Sequence, residues 1–176
     1  MTMMRCSQVR QAGMVLLISL VFLLLLSLVG LSSMQGALAQ QKAANSLWQR
    51  NQSFQTAESG LRLGELAVRR GGQVMPVCQS IISCAPPDEA SSVVGAGHNP
   101  VSAVTWVKFK DGVYGVQSLG VGSGQAHLPP YAAGALFRVT AVGLGGRSRT
   151  VLETVYARVE EGDGERFRRV LWRQLQ

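Results

Sequence analysis

A long apolar stretch lies near the N-terminus of the chain. Between Met14 and Met34 every residue is apolar, a glycine or a serine, and no charged residue occurs between Arg10 and Lys42. A helix needs about 20 apolar residues to cross the ~30 Å hydrocarbon core of a bilayer. Backbone groups in lipid must be satisfied within the segment itself, so the pattern predicts one membrane-spanning helix.

The charges on the two sides of this stretch differ. Arg5 and Arg10 precede it, whereas the next charged residue on the other side is Lys42. Because positively charged residues concentrate on the cytoplasmic side of a membrane, we expect a cytoplasmic N-terminus. The rest of the chain is then expected in the periplasm, anchored to the inner membrane by a single span.

The stretch by itself allows three interpretations. It is an ordinary anchor, a cleaved secretory signal, or a signal that is cut before the apolar run while the helix is retained. Ala37-Leu38-Ala39 fits a secretory cleavage site, but the apolar run is longer than the usual ~7–15 residues. Basic residues, then Gly13, then Met14 and an unbroken apolar helix resemble the third kind, a type IV prepilin signal.

A second apolar pattern continues on the same predicted helix. No proline occurs between Gln40 and Arg70, and Gly71-Gly72 then provides a common helix end. The apolar positions repeat every seven residues, with one small residue among them: Leu47, Phe54, Ala57, Leu61 and Val68. Such a stripe indicates an amphipathic helix, which has to pack against the following domain or against neighbouring copies. From Met14 to Arg70 the helix would be about 85 Å long.

The segment 71–102 is predicted to be an irregular loop, because it contains four prolines and a glycine pair. It also contains Cys78 and Cys84. Cleavage after Gly13 would remove Cys6, so an even number of cysteines would remain on the oxidising side of the membrane. We therefore predict a disulfide between them, and two buried free thiols are the alternative.

Turn signals after residue 102 predict an antiparallel sheet. Asp111-Gly112 lies between two apolar runs and is typical of a hairpin. Gly145-Gly146 and Gly162-Asp163-Gly164 supply further turns, and the segment 120–134 is predicted to be a loop. The expected strands are 103–109, 113–119, 135–144, 149–159 and 166–175. Sequential hairpins give a meander, one face of which can cover the apolar stripe of the helix.

Other chemistry is not indicated by the sequence. The formal net charge is +7, but the basic residues are scattered, so direct binding of nucleic acid is not predicted. The segment Gly120–Gly124 is glycine-rich, yet it follows a predicted strand without opening a helix, which disfavours a phosphate site. His98 and His127 have no close partner, and we predict no catalytic residue, metal or cofactor.

One segment carries a family signature. The run Asn51–Arg62 reads N-Q-S-F-Q-T-A-E-S-G-L-R and resembles the signature R-x-x-A-F-Q-A-A-E-S-A-L-R of PilX-type minor pilins. With the apolar stretch, the resemblance covers about Gln8 to Leu66. A second, looser similarity, to the closing hairpin of the family, covers Phe137 to Tyr156. The middle of the chain resembles nothing we recognise.

The resemblance implies a fold and a processing site. The expected fold is α+β and pilin-like: a long N-terminal helix packed on a small antiparallel sheet. Prepilin peptidase would cut between Gly13 and Met14, since a residue larger than glycine before the cut would crowd its active site, and the new amine would be methylated. Major pilins carry a glutamate at the fifth mature position, where this chain has Ile18.

The same resemblance implies a domain organisation. The expected parts are a prepilin leader (1–13), the membrane and assembly half of the helix (14–39), its amphipathic half (40–70), and a periplasmic globular domain (71–176). In that domain, a loop (71–102) precedes the sheet (103–176).

The implied function is structural rather than enzymatic. A protein of this kind is a minor pilin of a type IV pilus that primes pilus assembly within a tip complex. Its expected partners are other minor pilins, the major pilin, a PilY-type tip adhesin, prepilin peptidase during processing, and the membrane. One alternative is a minor pseudopilin of type II secretion. The other is an anchored periplasmic binding module, for which no processing before Met14 is expected.

Overall fold

The computed structural model describes residues 12–71, 75–124, 133–161 and 164–176. The chain divides into two compact units, of which the first ends at Asn45 and the second is Ser46–Gln176. Helix α1, Ala12–Arg69, contributes to both units. Residues 1–11 of the expected leader lie outside the described residues, as do Gly72, His127 and the turn residues 162–163.

The first unit contains the apolar part of α1. Its side chains are exposed from Gly13 to Asn45. One window of 18 residues in α1 has a mean hydropathy of 3.0, and α1 is the one helix in the described part of the chain long and apolar enough to cross a membrane. The hydroxyls of Ser19, Ser27 and Ser32 donate to backbone carbonyls three or four residues earlier. Serines bonded in this way leave no unsatisfied hydroxyl in an apolar segment.

The second unit contains the rest of α1, one further short α-helix, one 3-10 helix and six strands. Helix α2 is Ile81–Cys84, and the 3-10 helix is Asp88–Ser91. The strands are β1 Gly97–Asn99, β2 Val104–Phe109, β3 Gly112–Ser123, β4 Ala133–Gly145, β5 Ser148–Glu161 and β6 Gly164–Gln174. They form one antiparallel sheet in chain order. The predicted α+β, pilin-like fold is confirmed.

The first predicted hairpin has its turn one residue earlier than expected. Phe109 pairs with Gly112, so the two turn residues are Lys110 and Asp111, and Lys110 has a φ of 25°. Gly112 belongs to β3, where a Cβ atom would lie 2.4 Å from the carbonyl oxygen of Val142. The glycine that signalled the turn is therefore required for a close approach of two strands.

Two predicted loops contain strand residues. Strand β3 continues through the first part of the predicted loop 120–134, and β4 begins within it at Ala133. Leu119 is passed over by the pairing, since Ser118 faces Phe137 and Gly120 faces Leu136. Gly120 has a φ of +84°, a conformation that L-residues rarely adopt. The predicted loop 71–102 also contains β1 and two short helices, which periodicity could not reveal in elements of three or four residues.

One face of the sheet is covered by the C-terminal part of α1. The buried residues that α1 contributes to this contact are Ala57, Leu61 and Val68. They pack on residues of β4 and β5, namely Val139, Ala141, Leu152 and Tyr156. Gly143 makes the packing close, because a Cβ atom there would lie 2.0 Å from the carbonyl oxygen of Ser53. The Ser53 and Thr150 hydroxyls are 2.8 Å apart across the same contact.

The other face of the sheet carries a second cluster. It comprises Val104, Trp106, Val113, Val142 and Val151, with Ala90 of the 3-10 helix packed on them. The segment between α1 and β1 therefore covers the sheet from the side opposite to α1.

Candidate processing and assembly sites

The proposed cleavage site lies in the first turn of α1. Nothing in the described part of the chain lies within 4 Å of where a Cβ atom of Gly13 would be, and its φ is not positive. Neither space nor backbone conformation therefore requires glycine at this position.

Met14 and Ile18 follow on one side of α1, because residues four apart lie on the same helix face. Both side chains are exposed. The sequence has no acidic residue before Glu58, so the apolar part of α1 carries no carboxylate. A free amine at Met14 would therefore have no carboxylate partner within its own apolar segment.

The amphipathic stripe is placed only in part as predicted. Ala57, Leu61 and Val68 are buried under the sheet, and Phe54 is partly buried with its ring edge toward Trp172, 6.4 Å between centroids. Leu47 is 62 % exposed and reaches no core cluster, so the expectation that it packs under the sheet is wrong. The sheet approaches the helix at Gln49, whose backbone carbonyl lies close to where a Cβ atom of Gly145, at the end of β4, would be.

The cysteines lie together in the segment after α1. Cys78 and Cys84 form a disulfide, with 5.2 Å between their Cα atoms. The Cys78 amide donates to the Ser118 carbonyl of β3 at 2.9 Å, which fixes one end of the loop on the sheet. Within the loop, Ser80 and Ser83 form a capping box at the start of α2. Each hydroxyl accepts from the backbone amide of the other residue.

Two long polar side chains of the sheet hold the other end of this loop. Gln117 Nε2 donates to the Ser83 carbonyl at 2.8 Å, and Arg138 Nη1 donates to the Cys84 carbonyl. Arg149 of β5 holds the following segment in the same way, since its Nη1 donates to the Val93 carbonyl at 2.7 Å. The loop is therefore attached to β3, β4 and β5 by hydrogen bonds to its backbone.

A buried ion pair lies beneath this attachment. Glu153 is fully buried on β5, with its Oε1 3.3 Å from Arg138 Nε and 3.2 Å from Arg173 Nη2. Burial lowers the pKa of the Arg138 guanidinium, and the Glu153 carboxylate opposes this shift. Sequence reasoning missed the pair, although a glutamate between Val151 and Val155 in an alternating strand is a signal for a buried charge.

An ion pair and a cation–π contact also attach helix α1 to the last strand. Glu65 Oε1 lies 2.7 Å from Arg169 Nη2 on β6. The Arg69 guanidinium lies over the Phe167 ring, 5.6 Å from its centroid. These contacts hold β6, which is one of the two edge strands of the described sheet, against the end of the helix. They lie in the second unit, whereas Gly13, Met14 and Ile18 belong to the first.

Comparison with known proteins gives one match. The family model described as PilX N-terminal matches residues 12–62, a segment that lies entirely within α1. No curated protein and no solved structure matches the chain. The matched segment includes the apolar part of α1 and the part that packs on the sheet as far as Leu61, whereas the buried Val68 lies beyond it.

Proposed function

We propose that this protein helps to prime pilus assembly at the tip. The family match supports a PilX-type pilin, and with it a membrane-anchored single-pass minor pilin of a type IV pilus. The observation that carries the proposal is the extent of the match, which runs from the first residues of the apolar segment to the buried Leu61. Such a protein has a structural role, in which α1 joins the fibre and the sheet domain is displayed.

The proposal includes processing by prepilin peptidase between Gly13 and Met14. Its support is the order of the segments in the sequence: the basic residues Arg5 and Arg10, then Gly13, then the apolar helix. The mature protein would begin with a methylated Met14 amine. The N-terminus would start in the cytoplasm and the sheet domain in the periplasm.

The proposed position at the tip rests on Ile18. Major pilins carry a glutamate at the fifth mature position, and the family resemblance implies that the glutamate of an incoming subunit pairs with the amine of the subunit already docked. A lone carboxylate in the bilayer costs several kcal/mol unless it is paired. A subunit with isoleucine has no charge to neutralise by docking beneath another pilin, while its own Met14 amine still attracts the next glutamate. It would therefore enter early and stay at the tip.

The proposed partners follow from that position. Other minor pilins would pack beside it, the major pilin would follow below it, and a PilY-type adhesin would lie above it. In the apolar part of α1, nothing in the described part of the chain lies within 4 Å of a Cβ atom at Gly30 or Gly36, so another helix can come close there.

Deletion of the gene tests this function. We expect the number of surface fibres, counted by electron microscopy, to fall sharply and to recover with the intact gene. A gene encoding Leu47→Ala should restore fibres, because that side chain is outside the core. Normal fibre numbers after deletion would contradict the proposal, and normal fibres with lost protein secretion would favour the pseudopilin alternative.

A further inference from the structure

An open cavity lies in the second unit where the sheet divides beside β3. Strand β2 pairs with β3 only as far as Gly115, and Val77 then forms an isolated bridge to Ser118. The two residues of β3 between these pairings are paired with β4 on their other side only. A cavity of about 880 Å³ lies at this gap, lined by residues of β2, β3, the end of α1 and the disulfide loop, residues 78–84. Its volume is in the range of small-molecule sites.

The lining of this cavity carries no charged side chain. None of the described residues that line it is an aspartate, glutamate, lysine, arginine or histidine, although the chain has 17 lysines and arginines and 10 aspartates and glutamates. A charged ligand would lose part of its hydration there without meeting an opposite charge, which costs free energy. The lining therefore favours a neutral ligand.

Hydrogen-bonding side chains are numerous in the lining. Eight lining residues carry a hydroxyl or an amide group, among them Gln79, Thr105, Tyr114 and Ser118. Groups of these kinds both donate and accept hydrogen bonds. An entirely apolar ligand, such as a lipid chain, would displace water from them and leave them without partners. The ligand is therefore expected to carry several hydrogen-bonding groups of its own.

Ser118 supplies an enclosed hydroxyl that the fold does not use. The residue is only 7 % exposed. The Cys78 amide binds its backbone carbonyl, but no hydrogen bond in the described part of the chain involves its hydroxyl. Tyr114 lies on the same face of β3, because residues four apart in a strand point the same way, and its hydroxyl also has no partner among the described residues. Polar groups enclosed in this way are normally paired, and a ligand in the cavity would pair both.

The cavity also has an apolar side. Val107 pairs with Tyr114 across β2 and β3, and Val116 follows on the same face of β3. Tyr114 and Val116 also pack against the core cluster beneath α1. A pyranose sugar fits such a lining because it has hydroxyls around its rim and C–H groups on the faces of its ring. An extended peptide binds a sheet by adding a strand, and a gap of two residues is too short for that.

We propose that this cavity binds a neutral sugar unit of a glycan. The Ser118 and Tyr114 hydroxyls bond to hydroxyls of the sugar, and Val107 and Val116 contact a face of its ring. The site lies entirely in the second unit, so the inference does not depend on the proposed role in fibre assembly. It gives the sheet domain a second activity, which is attachment to a surface that carries glycans.

Saturation-transfer NMR on the full chain tests the inference. The protein is kept in a detergent without a sugar headgroup, and the probes are neutral trisaccharides of glucose, galactose, mannose or N-acetylglucosamine. Trigalacturonate and an acetylated alanine tripeptide amide serve as acidic and peptide controls. We expect transfer to at least one neutral trisaccharide and none to trigalacturonate. Transfer to none of the neutral sugars, equal transfer to trigalacturonate, or transfer to the peptide alone would each overturn the inference.

Replacement of the unused hydroxyl locates the binding site. Ser118→Ala should weaken binding of the trisaccharide about fivefold, as loss of one hydrogen bond does. It should leave the melting temperature unchanged, because no residue in the described part of the chain bonds to that hydroxyl. The matched control is Ser59→Ala, an exposed serine of α1 outside the cavity, which should bind as the wild type does. Equal affinities for both variants would overturn the proposed site.

Blocking the cavity gives a second measurement. Thr105 is exposed and lines the cavity, so Thr105→Arg should be tolerated by the fold while it places a long charged side chain in the neutral site. We expect saturation transfer to the trisaccharide to be lost. Val94→Arg is the control, since Val94 is 63 % exposed and does not line this cavity, and it should retain binding. Binding that survives Thr105→Arg would place the sugar elsewhere and overturn the inference.

Discussion

At the scale of single residues, Glu153 shows how the sheet and the disulfide loop are joined. Its carboxylate has no contact with water and lies between the guanidinium groups of Arg138 and Arg173. Arg138 also donates a hydrogen bond to the carbonyl of Cys84 and so connects Glu153 with the disulfide loop. Removing the carboxylate leaves a buried cation, which is much more costly than losing an exposed ion pair.

Glu153→Gln should therefore lower the free energy of unfolding by about 3–5 kcal/mol. The matched control is Glu165→Gln, because Glu165 is exposed and lies 3.9 Å from Arg158. We expect a change of less than about 1 kcal/mol for the control. Urea unfolding of a soluble fragment beginning at Gln40 measures both values. Equal small effects would mean that the buried pair does not stabilise the domain.

Replacement of Gly13 distinguishes a prepilin signal from a secretory signal and from a plain anchor. We expect the intact mass of the mature protein to correspond to a chain that begins at a methylated Met14, and Gly13→Leu to leave the leader attached. Gly30→Ala is the control, since Gly30 also has no neighbour within 4 Å and its replacement should not affect processing. A mature chain beginning at Gln40 would support a secretory signal, and an uncleaved wild-type chain would support a plain anchor.

At the scale of elements, α1 is the helix whose extent and apolar side are predicted best from the sequence. The seven-residue repeat predicts the buried positions Leu61 and Val68, and Ala57 is predicted because it lies three residues after Phe54 on the same side of the helix. It does not predict where the sheet stops. Leu47 continues the repeat, but β4 ends at Gly145 opposite Gln49, so no strand lies over it. Periodicity shows which side of a helix is apolar, and the length of the covering strands decides how much of that side is buried.

Two leucines of the stripe provide a matched test of this packing. Leu61→Ala should lower the free energy of unfolding by about 2–5 kcal/mol because Leu61 is buried, and Leu47→Ala by less than about 0.5 kcal/mol. Phe54→Ala should lower the free energy of unfolding by less than the ~3–5 kcal/mol expected for a fully buried phenylalanine, since Phe54 is only partly buried. Thermal and urea unfolding of the fragment beginning at Gln40 measures all three. Similar losses for both leucines would contradict the observed packing.

The strands show a different limit of sequence reasoning. Alternation and turn signals predict β2 to β6, whereas β1 has three residues and lies in a segment whose glycines and prolines resemble a loop. Gly112 and Gly120 look alike in sequence. The first allows two strands to approach closely, and the second takes a positive φ at a bulge. Which role a glycine has depends on its neighbours in the sheet, which a single sequence does not show.

At the scale of the whole molecule, the chain combines two parts with different solvents. The first unit exposes apolar side chains, while the second buries them on both faces of its sheet. The sequence predicts this division because a run of apolar residues and an amphipathic stripe follow each other on one helix. The exposure of Ile81 and Ile82 could not be predicted, since two isoleucines in a proline-rich segment give no sign of it.

The most direct test of the tip assignment is the location of the protein in the fibre. The proposal takes Ile18 to stand where major pilins carry a glutamate that brings a subunit beneath an existing one, so we expect the protein to enter first. Gold-labelled antibody against residues 71–176 should therefore mark fibre ends in electron micrographs. Label distributed evenly along the fibre shafts would contradict the proposed position at the tip.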